Sequence, residues 1–260
     1  MRTLPHKVEV VGTGISAATI DEVVSWVLDP PASGLAVAIT NVHAVMTAQR
    51  DPALATALAN AEIATTDGMP LAWALRAMGC PDQRRVDGHS VTKAVIEAGL
   101  ERDTAHFFYG STPETLASVV ANLRRDYPAI RIVGTYSPPF GRIDPDEQQV
   151  LQVIRDSQAS VVWVGLGVPR QEQWIDSVRN HLPGLSLVGV GAVFDWLAGN
   201  IPKAPGWMQR SGLEWAYRLG KEPRRLWRRY IWNNPSYVFK AGRQVLAHRL
   251  KSTTERTRSE

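Results

Sequence analysis

The sequence has little cysteine and no long apolar run. A single cysteine, Cys80, among 260 residues excludes an intramolecular disulfide and fits a reducing cytoplasm. The most apolar stretch, residues 185–199, is broken by Asp195 and several glycines, and no stretch supplies the roughly 20 apolar residues of a membrane span. The first ten residues lack an apolar core, so we expect no secretory signal. Any contact with a membrane is therefore expected from one side.

Charge is distributed unevenly along the chain. Hydrophobic residues make up 44% and charged residues 21%, which is typical of a folded globular protein. Residues 1–200 hold 15 Lys and Arg against 21 Asp and Glu, whereas residues 201–260 hold 14 against 4, together with four of the nine tryptophans. We therefore predict an acidic domain at 1–200 and a basic appendage at 201–260 whose partner is anionic, either nucleic acid or a phospholipid surface.

Short apolar runs alternate with helical patterns in the acidic domain. Near-continuous apolar runs such as VVWVG suit strands that are covered on both faces. The pattern predicts an α/β, Rossmann-like, mostly parallel sheet with flanking helices. The predicted strands are residues 8–11, 35–39, 62–64, 106–109, 130–133, 161–164 and 187–190.

Several helix boundaries carry local signals. Thr19 with Glu22 has the spacing of a capping box, and Thr112-Pro113 and Asp144-Pro145 place proline just inside a helix start. In the appendage, Pro223 and Pro235 each predict a break, which gives three short helices at about 205–221, 223–233 and 235–250. The middle helix has a basic face and an apolar face, as in helices that lie on membranes.

Polar and glycine-rich loops follow the predicted strands. Ligands of open parallel sheets bind beyond the carboxyl ends of the strands, where glycine permits close approach and helix N-termini offer N–H groups to phosphate. These loops predict a phosphate-bearing substrate. The candidate binding residues are Thr40, Asn41, Gly110, Ser111, Gly167, Pro169, Gln171 and Glu172.

Two acidic sites have alternative interpretations. Asp67 precedes the helix that begins near Pro70, so it is either a helix cap or a general base that accepts a proton from an attacking hydroxyl. Asp144 and Asp146 resemble a metal-binding acidic pair, but Asp followed by Pro is the expected helix cap. The histidines have no ligand spacing, and we predict no metal site and no cofactor.

Two other function classes remain open at this point. Residues 12–17 match the dinucleotide pattern G-x-G-x-x-A, although the expected acidic residue after the second strand is replaced by Thr40-Asn41. This pattern indicates an NAD-dependent oxidoreductase. The basic and aromatic appendage is alternatively typical of a nucleic-acid-binding protein.

Six motifs in order resemble the WecG/TagA/CpsF family of glycosyltransferases over most of the chain. They are Thr65-Thr66-Asp67-Gly68-Met69-Pro70-Leu71-Ala72-Trp73, Arg85-Val86-Asp87-Gly88, Phe107-Phe108-Tyr109-Gly110-Ser111, Pro138-Pro139-Phe140-Gly141, residues 165–174, and residues 214–219 with residues 222–225. The resemblance implies an inverting, metal-independent enzyme. Its donor would be a UDP-sugar, carrying N-acetylmannosamine or another hexose, and its acceptor a polyprenyl-diphosphate-linked sugar in cell-surface polysaccharide synthesis.

The resemblance also implies residue roles and a location. Asp67 would be the general base, and Asn41, Arg85 and Gln171 would line the substrate pocket. The appendage would close the site with Arg218, Arg225 and Arg228. It would also contact the anionic inner face of the cell membrane. Nucleic acid would not be a partner. Ile39 and Ser90 depart from the family pattern. The sequence leaves the donor sugar and a homo-oligomeric state open.

Overall fold

The computed structural model describes residues 2–139, 147–202, 204–221 and 223–259, with the side chains of some C-terminal residues outside the description. The strands are β1 (Lys7–Val10), β2 (Thr13–Ser16), β3 (Leu35–Ala38), β4 (Ile63–Ala64), β5 (Ala105–Gly110), β6 (Arg131–Tyr136), β7 (Val161–Gly165) and β8 (Ser186–Gly189). The helices are α1 (Ile20–Leu28), α2 (Val42–Ala48), α3 (Pro52–Asn60), α4 (Met69–Ala77), α5 (Gly88–Gly99), α6 (Pro113–Asp126), α7 (Glu147–Asp156), α8 (Arg170–Val178), α9 (Val193–Leu197), α10 (Gly206–Arg210), α11 (Glu214–Lys221) and α12 (Pro223–Ser259).

Six of the strands form one parallel sheet in the order β4-β3-β8-β7-β5-β6. The central strand β7 pairs with β8 and β5, and its residues Val161 to Val164 are buried. This confirms the predicted α/β architecture. Because all six strands run in the same direction, the loops that follow them lie along one edge of the sheet.

Helices cover both faces of the sheet. Phe108 and Trp163 point into a cluster with α1, α5, α6 and α9. Phe107, which precedes Phe108 in β5, points into a second cluster with α3, α7 and α8. The alternation of side chains along a strand thus explains why these strands are apolar at nearly every position.

The described helix starts agree with their local signals. Thr19 and Glu22 form the predicted capping box at α1. Thr112 caps α6, and Pro113 lies in its first turn. The predicted start at Asp144-Pro145 lies outside the described residues.

The first predicted strand does not join the parallel sheet. β1 pairs with β2 in an antiparallel hairpin, with Val10 opposite Thr13. Gly12 occupies the turn with a φ of 72°. A dinucleotide fingerprint requires a strand followed directly by a helix. Here a second strand follows, so the dinucleotide-binding interpretation of residues 12–17 is wrong.

The appendage packs on the body through α12. Tyr237 and Ala241 are buried in a cluster with residues of the hairpin, α2 and α4. Gln244 accepts a hydrogen bond from the Val11 N–H (2.8 Å) and donates one to the Glu9 carbonyl (2.7 Å). Appendage and hairpin therefore share one hydrophobic cluster.

The predicted helix break at Pro235 is wrong. α12 continues through this proline, although proline lacks the N–H that the helix ladder needs. Residues on both sides of Pro235 are held by the body: Asn233 binds His43, and Tyr237 donates to the Pro70 carbonyl. Packing thus overrides the local signal. Among the described residues, no helix combines the length and apolarity that a membrane crossing demands.

Two buried titratable groups carry opposite pKa shifts. His106 accepts a hydrogen bond from Trp163 Nε1 (3.2 Å), and burial lowers its pKa from 6.5 to about 4. Glu172 lies in the first turn of α8, and burial raises its pKa from 4.5 to about 7. The folded chain therefore resists protonation at His106 and resists ionisation at Glu172.

These shifts predict opposite effects of pH on stability. Between pH 6.5 and 4, the unfolded chain binds a proton at His106 that the folded chain does not, so stability falls as pH falls. Between pH 4.5 and 7, the folded chain keeps a proton at Glu172 that the unfolded chain loses, so stability falls as pH rises. Each slope approaches about 1.4 kcal/mol per pH unit, and the two oppose each other in the shared range.

We expect Glu172→Gln to leave the His106 slope unopposed, so that its free energy of unfolding rises with pH relative to the wild type between pH 4.5 and 6.5. For His106→Asn, which retains an acceptor for Trp163, the free energy of unfolding should fall with rising pH relative to the wild type. Urea unfolding at three pH values in this range measures both slopes. Profiles parallel to the wild type in both variants would contradict the assignment.

Candidate active site

Backbone pairing continues past the carboxyl ends of β3 and β4. The Asp67 N–H donates to the Thr40 carbonyl at 2.8 Å. The Val86 N–H donates to the Thr66 carbonyl at 3.0 Å, which brings the segment after α4 to the same edge. Asn41, Asp67 and Arg85 are distant in sequence, and these bonds place them around one cavity.

Asp67 and Arg85 form an ion pair in the wall of this cavity. Arg85 Nη2 lies 3.5 Å from Asp67 Oδ1 and 3.9 Å from Asp87 Oδ1. The Asp67 side chain is 25% exposed, whereas that of Arg85 is 14% exposed. The pair therefore orients a carboxylate that substrate can still reach.

The structure tests the helix-cap interpretation of Asp67. The N-cap of α4 is Gly68, with a φ of 114° and no side-chain cap hydrogen bond. By contrast, Asp87 is a true cap, since it accepts from the N–H and the hydroxyl of Ser90. The capping interpretation of Asp67 is therefore wrong, and its carboxylate faces the cavity.

Thr40 and Asn41 follow β3 but are placed differently. Thr40 is fully buried and donates its hydroxyl proton to the Ala38 carbonyl (3.2 Å), so it supports the strand end. Asn41 lines the cavity and caps α2 by accepting from the Ala44 N–H (3.2 Å). Only Asn41 of this pair is positioned to meet a ligand in the cavity.

The cavity has a volume of about 400 Å³, which is in the range of small-molecule sites. The sheet edge supplies its polar side, and α2, α4, α11, α12 and the segment between α10 and α11 supply the rest. Its described lining residues are Asn41, Val42, His43, Asp67, Gly68, Met69, Pro70, Trp73, Arg85, Ser211, Gly212, Leu213, Trp215, Asn233, Asn234, Tyr237 and Val238.

His43 and the α12 residues are cavity residues that sequence reasoning missed. The Asn233 amide lies 2.9 Å from His43 Nδ1, so this contact joins α12 to the first turn of α2. Tyr237, four residues further along the helix, is 3% exposed. The spacing of Tyr237, Ala241 and Val245 was the available signal, since it marks one apolar face of a helix.

A second group of predicted residues lies at the ends of β5 and β7. Gly110 has a φ of 120°, and a Cβ there would lie 2.7 Å from the Gly165 carbonyl. The Ser111 N–H donates to the same carbonyl (3.2 Å). Gly167 has a φ of 77° and begins the turn that leads through Pro169 into α8. None of these residues is among the described lining of the Asp67 cavity.

The connections of β5 and β7 diverge at this second group. The chain leaves β5 through α6 on one face and leaves β7 through α8 on the opposite face. Open α/β sheets generally bind ligands where the strand connections switch direction in this way.

Gln171 and Glu172 are buried beside the end of β7, outside the described cavity lining. Gln171 accepts from the Gly167 N–H (3.1 Å) and donates to Glu172 Oε1 (2.9 Å). A Cβ at Gly189 or Gly191 would lie 3.2 to 3.3 Å from the Gln171 amide, so two glycines make room for it. In this arrangement Gln171 holds the Gly167 turn in place.

The remaining predicted features are placed as follows. Ile39 is buried in the core, and a Cβ at Gly88 would lie 3.3 Å from its side chain. The side chains of Arg218, Arg225 and Arg228 lie outside the described part of the chain, as do Asp144 and Asp146. Within the described residues, no group of three or more His, Cys, Asp or Glu side chains is arranged to hold a metal ion.

Comparisons with known proteins show the family of this chain. The model of the "Glycosyl transferase WecG/TagA/CpsF family" matches residues 8–251. Two similar proteins are both named N-acetylglucosaminyldiphosphoundecaprenol N-acetyl-beta-D-mannosaminyltransferase. The protein of Bacillus spizizenii is 32% identical over 74% of this chain and 72% of its own length. The protein of Bacillus subtilis is 30% identical over 79% of this chain and 78% of its own length. The chain therefore belongs to the WecG/TagA/CpsF family and is a glycosyltransferase.

Proposed function

We propose that this enzyme transfers a sugar, N-acetylmannosamine or another hexose, from a UDP-sugar to a polyprenyl-diphosphate-linked sugar, with inversion at the anomeric carbon and without a metal ion. The observation that carries this proposal is the Asp67 carboxylate, oriented by Arg85 in the wall of a cavity at the strand ends. The names of both relatives support a lipid-linked acceptor.

Asp67 is the general base of the proposed reaction. It takes the proton of the acceptor hydroxyl as the hydroxyl oxygen bonds to the anomeric carbon. The bond between that carbon and the UDP oxygen breaks, and UDP leaves with the electron pair. Attack from the face opposite to UDP inverts the anomeric centre.

The leaving UDP gains negative charge that fixed donors must stabilise. The N-terminus of α8, which follows the Gly167 turn beside the ends of β5 and β7, offers N–H groups for a diphosphate. Arg218, Arg225 and Arg228 of the appendage supply guanidinium groups, which suit diphosphate oxygens better than lysine does. The proposal thus places donor and acceptor in neighbouring parts of one sheet edge.

The basic appendage attaches the enzyme to the inner face of the cell membrane. Each basic residue near anionic lipid contributes roughly 1 kcal/mol, so several give reversible binding. Docking of α12 on the body then links membrane contact to completion of the site.

A UDP-release assay tests the proposal. The wild type is offered a panel of UDP-sugars and a lipid-diphosphate sugar acceptor, with and without a chelator, and NMR assigns the anomeric configuration of the product. We expect acceptor-dependent release with one donor, unchanged by chelator, and an inverted product. No release with any donor, or retention of configuration, would refute it.

Asp67→Asn should keep the fold and lower kcat by about 10²- to 10⁴-fold, because a positioned base contributes that much. Asp87→Asn is the matched control. It changes the other carboxylate beside Arg85 and leaves a residue that still caps α5. If both variants lose the same activity, or if Asp67→Asn is near normal, Asp67 is not the base.

Replacing Arg218, Arg225 and Arg228 together by Gln should lower turnover by about 10²-fold or more, since these donors stabilise the leaving group. The charge-matched control replaces the exposed Arg224, Arg243 and Arg249. Both triple variants should bind anionic vesicles more weakly, but only the first should lose turnover on a water-soluble acceptor. Equal turnover in the two variants would show that the three arginines act only through the membrane.

A further inference from the structure

The outer side of the Asp67 cavity is apolar, in contrast to the sheet edge. Trp73 is 48% exposed and Val238 is 67% exposed, whereas the polar residues Asp67 and Arg85 are much less exposed. The apolar residues therefore form the mouth of the cavity and the polar residues its interior. We call this set the apolar mouth, and its members are Met69, Pro70, Trp73, Leu213, Trp215 and Val238.

The apolar mouth is built from three elements that are fastened to one another. Trp73 of α4 lies against Gly212, where a Cβ would be 3.0 Å from the indole ring. Gly212 has a φ of 73°, so glycine suits this turn on conformational grounds as well. Val238 follows Tyr237, whose hydroxyl is bound to the Pro70 carbonyl (3.1 Å). The mouth is thus a preformed surface.

Large apolar side chains gathered at one exposed place need an explanation. Contiguous apolar patches on soluble proteins mark sites for apolar ligands or partners. The position of this patch restricts the occupant, because it opens directly onto the cavity that contains the Asp67 carboxylate and the Arg85 guanidinium.

We infer that the apolar mouth binds the isoprene units next to the diphosphate of the acceptor. This inference rests on the proposed function. In a polyprenyl-diphosphate sugar, sugar, diphosphate and hydrocarbon follow in that order, and the cavity runs from polar interior to apolar mouth in the same order. At about 400 Å³ the cavity holds only the first units, and the rest of the chain stays in the bilayer.

Binding of farnesyl diphosphate, compared with inorganic diphosphate, tests the inference without a membrane or a sugar. Calorimetry with the full chain should show at least about 10-fold tighter binding of farnesyl diphosphate, because burial of a few apolar groups gives this difference. Trp73→Ala and Val238→Gln should each bring the ratio of the two affinities toward 1.

Trp207→Ala is the matched control. Trp207 is an equally large and even more exposed side chain, 59% exposed in α10, and it is outside the described lining of the cavity. The ratio should be unchanged in this variant. Thermal unfolding of each variant establishes that it is folded. If Trp73→Ala does not fold, Val238→Gln still tests the inference, because Val238 lies on the surface.

The outcomes separate this inference from the proposed function. If the affinity ratio is near 1 in the wild type, or if all three variants change it equally, the apolar mouth is not a prenyl site, whether or not UDP is released in the transfer assay. If the ratio depends on Trp73 and Val238 but the enzyme releases UDP from no UDP-sugar, the prenyl site is supported and the proposed reaction is refuted.

Discussion

The site depends on backbone pairing that extends beyond the parallel sheet. Two hydrogen bonds, from Asp67 to Thr40 and from Val86 to Thr66, fasten the segments after β3, β4 and α4 to each other. Without them Asp67 and Arg85 would lie on separate loops, and the ion pair would have to order both at an entropic cost. With them, a carboxylate and a guanidinium are oriented by the same framework that sets the register of the strands. The geometry of the candidate site is thus a continuation of the sheet geometry.

The C-terminal helix completes what the sheet edge begins. α12 inserts Tyr237 and Ala241 into the cluster around the hairpin, and it presents Asn233 to His43 and Val238 to the cavity. The helix that carries 10 of the 14 Lys and Arg residues of the appendage is therefore also part of the cavity wall. The uneven charge distribution alone is compatible with any polyanion; the docked helix ties it to a site that also contains a carboxylate and an apolar mouth.

Sequence reasoning reached the architecture more easily than the site. Strands such as residues 161–164 were predictable because burial on both faces leaves an apolar run, and Thr19 and Thr112 were predictable because capping is local. β2 was missed because Thr13–Ser16 is short and contains glycine, and its pairing with β1 depends on a turn of two residues. The predicted break at Pro235 was wrong because contacts with the body of the protein hold α12 together on both sides of the proline.

Within the site, Asp67, Asn41 and Arg85 were found through motifs, but their neighbours were not. The contact of His43 with Asn233 spans 190 residues, and no local pattern reports such a distance. Burial of Gln171 beneath Gly189 and Gly191 likewise depends on how α8 meets β8.

The most direct test of the central claim is a crystal structure of the Asp67→Asn enzyme with UDP and a soluble diphosphate-linked sugar acceptor. The account predicts the attacking hydroxyl of the acceptor within about 3 Å of the residue 67 side chain, a distance suited to proton transfer. An acceptor hydroxyl bound elsewhere, with residue 67 facing away from it, would contradict the account.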